Sequence, residues 1–296
     1  MADEFSRFHP AVIITYFVFV IGFSMFLMHP VCLAISMLTG ISYSVILNGE
    51  KNVRLNLRFM LPVMIVTSLI NPAFNHEGAT ILTYLSNGNP ITLESITYGM
   101  ASAAMLISVI TWFSCYNAVM TSDKFVYIFG RIIPSLSLIF SMVLRFVPRF
   151  RAQIKEIALS QRCTGKDVSY GRITERIRNA IMIISVMVTW SLENSIETSD
   201  SMKSRGYGLK GRTAFSIFKF DTRDLVVLMN ILFFSGTTII FTANQILSFS
   251  YFPSMKGTKA DISSLAGFGS YFLLCAVPII IDIWEGWRWK HTQLKI

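Results

Sequence analysis

The residues in this chain best suited to chemistry at a surface lie in Ser191–Gly208, SLENSIETSDSMKSRGYG. Glu193, Glu197, Asp200 and Ser204 follow one another at four- and three-residue steps, which puts them on one helix face. Ile196 and Met202 sit off that face. Arg205 stands directly before Gly206, a residue suited to the left-handed position that stops helices, and Gly208 keeps the exit loop open. A cation in the last turn also complements the negative end of the helix dipole. The chemistry this predicts is recognition: one guanidinium at a rigid tip, able to pair through two prongs with a carboxylate on another protein. The same pattern also describes an ordinary capped surface helix with a dipole-matching Arg. A second such end, QRCTG at residues 161–165, brings Arg162 near Gly165.

Other chemistries find little support. There is no GxxxxGK[ST] phosphate loop, so the chain does not power itself, and nothing in it calls for a cofactor. The four His, at positions 9, 29, 76 and 291, are scattered. His76 beside Glu77 is a lone pair of donors in a loop, read as solvated side chains and not as a metal site. Glu94 at the mouth of an apolar run reads either as an ion site or as a snorkelling end residue. Cys32, Cys115, Cys163 and Cys275 lie too far apart to suggest a disulfide framework or a metal cluster.

The elements that carry these residues are set by composition. Of 296 residues, 53% are hydrophobic and 15% charged, against roughly 25% charged in soluble domains. Mean hydropathy is +0.54. This is a polytopic membrane protein. The net charge of +9 is read as anchoring charge on the cytoplasmic side, since no basic stretch is interleaved with aromatics as nucleic-acid binding requires.

Six spans are predicted: Ala11–Met28, Val31–Leu47, Phe59–Ile70, Leu93–Met120, Leu225–Leu247 and Leu265–Ile283. His29-Pro30 makes a tight break between the first two, and Asn71-Pro72 and Asn87-Gly88-Asn89-Pro90 signal turns. Asn48–Arg58 is a basic polar loop, whereas Asn71–Thr92 has no Lys or Arg. The positive-inside rule then puts the former inside, the latter outside and both termini in the cytoplasm. Phe125–Leu144 is apolar but flanked by basic residues at both ends, so it is read as an interfacial or packed segment broken near Pro134.

Arg145–Arg178 carries nine Lys/Arg and three Asp/Glu and cannot lie in lipid. Phe146, Phe150, Ile154 and Ile157 follow helical spacing, and a second helix starts near Arg172. Its apolar stretch Ile181–Trp190 is half the length of a span. The predicted class is an all-α integral membrane protein with about six transmembrane helices and a cytoplasmic platform of two long helices. The predicted parts are 1–123 with four spans, 124–223 as the cytoplasmic platform, and 224–296 with two spans and a basic tail.

The helix pair ending in QRCTGKD and SMKSRGYGLKGRTAF, preceded by SMVLRFVPRF and TWSLENSIETSD, resembles the transmembrane T component of energy-coupling factor (ECF) transporters, the CbiQ/EcfT-like family. HPVCLAIS, NPAFNH, GNPITLESITYGM and DKFVYIFGRIIPSLSL look like its long Gram-positive form. The resemblance implies a non-catalytic subunit in the bacterial plasma membrane. Its partners would be two ABC-type ATPase subunits and a small S component that binds a vitamin or metal ion, with no nucleic acid. It also implies that the two long helices of 124–223 are crossed coupling helices, carrying two Ala-Arg-Gly-like signatures that dock on the ATPases. Ser204-Arg205-Gly206 matches the second signature. The first, aligned on Gly165, reads Cys163-Thr164-Gly165, so Thr164 stands where the family has Arg. Arg162, two residues earlier and about 200° away on a helix, substitutes only if the helix end unwinds or rotates; Lys166 is another candidate. The rival from another class is a self-contained secondary transporter, which calls for ionisable groups in the spans and often internal repeats. The spans here have almost no such groups, and the halves no repeat.

Overall fold

Two His-Pro pairs set the start of the helical bundle. Pro10 and Pro30 open α1 (Pro10–Phe26) and α2 (Pro30–Phe74), where a missing N–H costs nothing. The preceding His9 and His29 cap them: Nδ1 of each accepts the amide N–H of the residue after the proline, at 3.2 Å. Burial pushes the His29 pKa down, which favours the neutral ring that accepting requires.

The computed structural model describes residues 4–84, 90–209, 218–257 and 261–293. After α1 and α2 come a hairpin of β1 (Ile81–Tyr84) and β2 (Pro90–Thr92), then α3 (Leu93–Val119) and α4 (Ser122–Ile132). The long pair α5 (Pro134–Cys163) and α6 (Ile173–Ser204) follows. The chain closes with α7 (Thr222–Ala243), a short pairing of β3 (Phe249–Ser250) with β4 (Lys256–Gly257), and α8 (Ile262–Gln293). Two units result: residues 1–124 with 218–296, and residues 125–217.

The first unit holds four helices long and apolar enough to cross a membrane: Pro30–Leu47, Leu93–Val119, Thr222–Ala243 and Ile262–Arg288. The expected six spans all fall on helices, but Pro10–Phe26 and Met60–Phe74 are shorter. At about 1.5 Å per residue the 17 residues of α1 reach about 26 Å, less than the ~30 Å of a hydrocarbon core. The polar Asn48–Arg58 stretch stays helical and is interrupted only at Gly49, whose φ of 72° and ψ of 163° divide α2 into two helices. The turn expected at Asn71-Pro72 is likewise absorbed, since α2 continues to Phe74. Of the Asn87-Gly88-Asn89-Pro90 turn, residues 87–89 lie outside the described residues, as does most of the Lys210–Arg223 loop.

Aromatic rings fill the centre of this unit. Tyr16, Tyr43, Trp112 and Tyr271 are fully buried. Their polar atoms find partners: Trp112 Nε1 donates to Ser36 Oγ at 3.0 Å, and Tyr16 OH donates to the Cys275 carbonyl at 3.0 Å. Ser36 Oγ in turn lies 2.6 Å from Ser24 Oγ. Small residues let α3 approach the second half of α2. A Cβ on Gly99 would fall 2.6 Å from the Ser68 carbonyl oxygen, a backbone atom that cannot swing aside. Gly99→Val is therefore expected to pry these helices apart and destabilise the protein by about 1–3 kcal/mol, the usual range for overpacking. Thermal unfolding in detergent should show a drop of several degrees, and an unchanged midpoint would refute the close approach.

In the second unit Pro134 ends the apolar run Phe125–Leu144 as one helix: α4 stops at Ile132, Ile133 is non-helical (φ −133°, ψ 87°), and α5 begins at Pro134. α5 then runs unbroken through Pro148 to Cys163. It meets α6 through rings: Phe150 lies 5.5 Å from Trp190 edge-on, stacks on Phe146 at 5.9 Å, and Arg149 sits over Trp190 at 5.5 Å. The pair leaves a groove of about 380 Å³ lined by Phe150, Ile154, Ile183, Met187, Val188 and Leu192.

Candidate functional site

Both long helices of the second unit end in the same hydrogen-bonded motif. In α5 the Lys166 amide donates to the Gln161 carbonyl at 2.9 Å, and the Gly165 amide donates to the Arg162 carbonyl at 3.0 Å. In α6 the Tyr207 amide donates to the Met202 carbonyl at 3.0 Å, and the Gly206 amide to the Lys203 carbonyl at 2.9 Å. These are the paired bonds of a Schellman cap. They require a left-handed residue, and Gly165 (φ 79°) and Gly206 (φ 78°) supply it without a Cβ penalty.

The match fixes which residues are equivalent. Thr164 and Arg205 occupy the same C-cap position, with φ/ψ of −90°/12° and −85°/10°. A hydroxyl bonds back at each end, though one position apart: Thr164 Oγ1, at the cap, donates to the Gln161 carbonyl, and Ser204 Oγ, just before the cap, to the Ser201 carbonyl, each at 2.8 Å. Arg205 is exposed and makes no ion pair among the described residues. Glu193, Glu197, Asp200 and Ser204 are all exposed on one side of α6. Beyond the tip, Tyr207 and Leu209 are exposed as well, at 49% and 72%.

Arg162 sits two positions before the cap, where α6 has Lys203. The end of α5 neither unwinds nor rotates. Instead Arg162 Nε pairs with Asp167 Oδ2 at 3.2 Å. The Ser169 amide, and then the Arg162 guanidinium, hold the Asp167 carboxyl below the usual carboxylate range. Asp167 was not singled out by the sequence, because only the reversal after Gly165 brings it back to Arg162. The loop beyond is fastened to α6: Arg176 Nε donates to the Val168 carbonyl at 2.7 Å and Asn179 Nδ2 to the Asp167 carbonyl at 2.9 Å. Lys166 Nζ lies 3.5 Å from Met182 Sδ. The first tip thus presents Cys163, Thr164 and Gly165 to solvent, and the second presents the guanidinium.

The other candidates have structural occupations. Glu94, buried, accepts from the Thr80 amide at 3.2 Å and from the Thr80 hydroxyl, which staples the β1–β2 hairpin to α3. Among the described residues no three His, Cys, Asp or Glu side chains converge to hold a metal ion.

A family model for CbiQ, described as a cobalt transport protein, matches residues 7–215, more than half of the chain and both helix tips. The chain belongs to the CbiQ family. Among the curated relatives of this CbiQ-family chain is the energy-coupling factor transporter transmembrane protein EcfT of Lactobacillus helveticus. The two are 32% identical over 110 residues, 37% of this chain and 40% of that protein. The protein of the same description from Listeria innocua is 24% identical over 188 residues, 58% of this chain and 69% of that one. That of Streptococcus thermophilus is 26% identical over 183 residues, again 58% and 69%. The chain therefore matches about two fifths of the Lactobacillus protein and about two thirds of the other two.

Proposed function

We propose that this CbiQ-family chain is the transmembrane scaffold and coupling subunit of an ECF-type ABC importer. In this reading residues 124–223 form a cytoplasmic coupling domain, both termini are cytoplasmic, and 1–123 and 224–296 sit in the plasma membrane. Two ABC-type ATPase subunits hydrolyse ATP; the chain itself is not an enzyme. It transmits their movement to a membrane-embedded S component that carries a vitamin or a metal ion. The observation that carries the reading is the rigid α6 tip, where Arg205 is solvent-exposed beside exposed Tyr207 and Leu209. An Arg framed by an aromatic and an aliphatic side chain is a composition that protein interfaces favour. Thr164 at the equivalent cap contributes a hydroxyl and no charge, so the α5 tip makes a contact of a different kind. Ser204 and Gly206 shape the Arg205 tip, and Cys163 and Gly165 shape the other.

Co-expression with two ABC ATPases and purification through a tag on this chain tests the reading. Both ATPases are expected to co-elute in fixed ratio through gel filtration. A chain that elutes alone and still moves substrate down an ion gradient would be a secondary transporter instead.

A further inference from the structure

The polypeptide leaves the first unit after Lys124 and returns to it at Phe218. Both passages are held by one short stretch, Glu4–His9. On the way out, Lys124 is buried, and its ammonium donates to the carbonyl of Val119, the last residue of α3, at 2.8 Å and also to the carbonyl of Ser6. A cation at that place meets the negative end of α3. On the way back, the His9 amide donates to Asp224 Oδ1 at 3.0 Å, while Asp224 Oδ2 accepts the Asp221 amide at 2.9 Å. The Phe220 ring meets His9 edge-on at 5.2 Å. Arg223 lies over the Phe8 ring at 4.7 Å and pairs with Glu285 at 3.1 Å.

The stretch is itself firmly seated. Phe5 is fully buried and packs edge-on against Tyr16 (5.2 Å), Phe17 (6.5 Å) and Tyr43 (6.4 Å). The amides of Glu4 and Phe5 donate to Asp282 Oδ1 of α8 at 3.0 and 3.3 Å. Helix ends fray first, because their terminal amides and carbonyls lack partners within the helix. The end of α3 and the start of α7 are such places; Lys124 meets the first and Asp224 the second, and Glu4–His9 bonds to both of these side chains.

We propose that Glu4–His9 is an anchor that fixes both points where the chain passes between its units, with Lys124 and Asp224 as the positioning residues that engage it. The mechanical consequence rests on the coupling function proposed above. A displacement imposed on residues 125–217 would then reach the membrane helices at two fixed points. Without the anchor it would be absorbed by unwinding of the α3 and α7 ends.

Hydrogen exchange on the full-length purified chain tests the anchor without any partner. Phe5→Ala should raise exchange by about tenfold at two stretches far apart in sequence, 119–126 and 220–226. Amides in the middle of α5 and α6 should not change. A rise at only one of the two stretches, or at neither, overturns the proposal. If Phe5→Ala fails to insert, Lys124→Met and Asp224→Ala take its place. Each should loosen its own passage and also the amides of residues 5–9, and protection of 5–9 left unchanged in both overturns it. In the assembled complex Lys124→Met should lower substrate taken up per ATP several-fold at an unchanged ATPase rate. An unchanged ratio removes the mechanical role. A wild-type chain that recruits no ATPase would instead refute the proposed function, with the exchange result still standing.

Discussion

Arg205→Ala is expected to weaken assembly with the ATPases about thirtyfold and to reduce substrate uptake at least as much. The side chain is exposed in the chain alone, so its removal costs the free protein little. In a complex it would be desolvated between Tyr207 and Leu209. Truncation of a buried interfacial Arg typically costs about 2 kcal/mol or more, and 1.4 kcal/mol is tenfold in affinity. Arg205→Lys should recover only part of the loss, because a point charge cannot reproduce a two-pronged pairing with a carboxylate. Arg205→Glu should be worst, since it sets two carboxylates together. Arg162→Ala should be mild by comparison: its guanidinium already pairs with Asp167, at a half-turn's remove from the cap. Exposed pairs of this sort contribute about 0–1 kcal/mol. The measurements are pull-down affinity, ATPase rate and uptake for each variant in one background. Wild-type behaviour of Arg205→Ala in all three would refute the docking role.

The second large effect is expected at Phe150. Its ring stacks on Phe146, meets Trp190 edge-on and lines the groove between α5 and α6. Phe150→Asp removes that half-buried ring and puts a carboxylate against apolar side chains. Loss of the packing of a half-buried ring is expected to cost about 1–2 kcal/mol, and an unpaired charge in the groove adds to it. The crossing should open and become sensitive to protease within 125–209. Membrane insertion should persist, because Phe150 belongs to the second unit and the spans to the first. Phe150→Leu, which keeps most of the apolar area, should lose far less. Limited proteolysis and uptake check both variants. Full protease resistance in Phe150→Asp would show that the ring does not hold the helices together.

Under the coupling role proposed above, the two effects separate the docking tip from the helix pair that carries it. A rigid tip is useful only if its helix does not slide against its neighbour. The α5–α6 crossing supplies that resistance through few contacts, since Ile183 and Ile157 are buried while Ile181, Ile184, Val188 and Leu192 stay more than half exposed.

What the sequence determined by itself was whatever depends on a few neighbouring residues. Hydropathy marked every apolar helix of the first unit. Gly165 and Gly206 marked both helix ends, because a Schellman cap closes within six residues and needs a left-handed position. The break at Pro134 was equally local, as proline removes a donor and restricts the residue before it. The tertiary structure decided the rest. The basic stretch after Gly49 reads as a loop but is helical, since its polarity suits either and tertiary context chooses. The partner of Arg162 was not legible either, since only the reversal of the chain after Gly165 brings Asp167 to it. The role of the N-terminus was invisible for a simpler reason. Glu4 meets Asp282 across 278 residues and Lys124 meets Ser6 across 118, and no periodicity or cap encodes a hydrogen bond between residues so far apart. Only the tertiary packing that seats Phe5 against rings of α1 and α2 brings those groups within reach, and burial then obliges each amide and ammonium to find a partner.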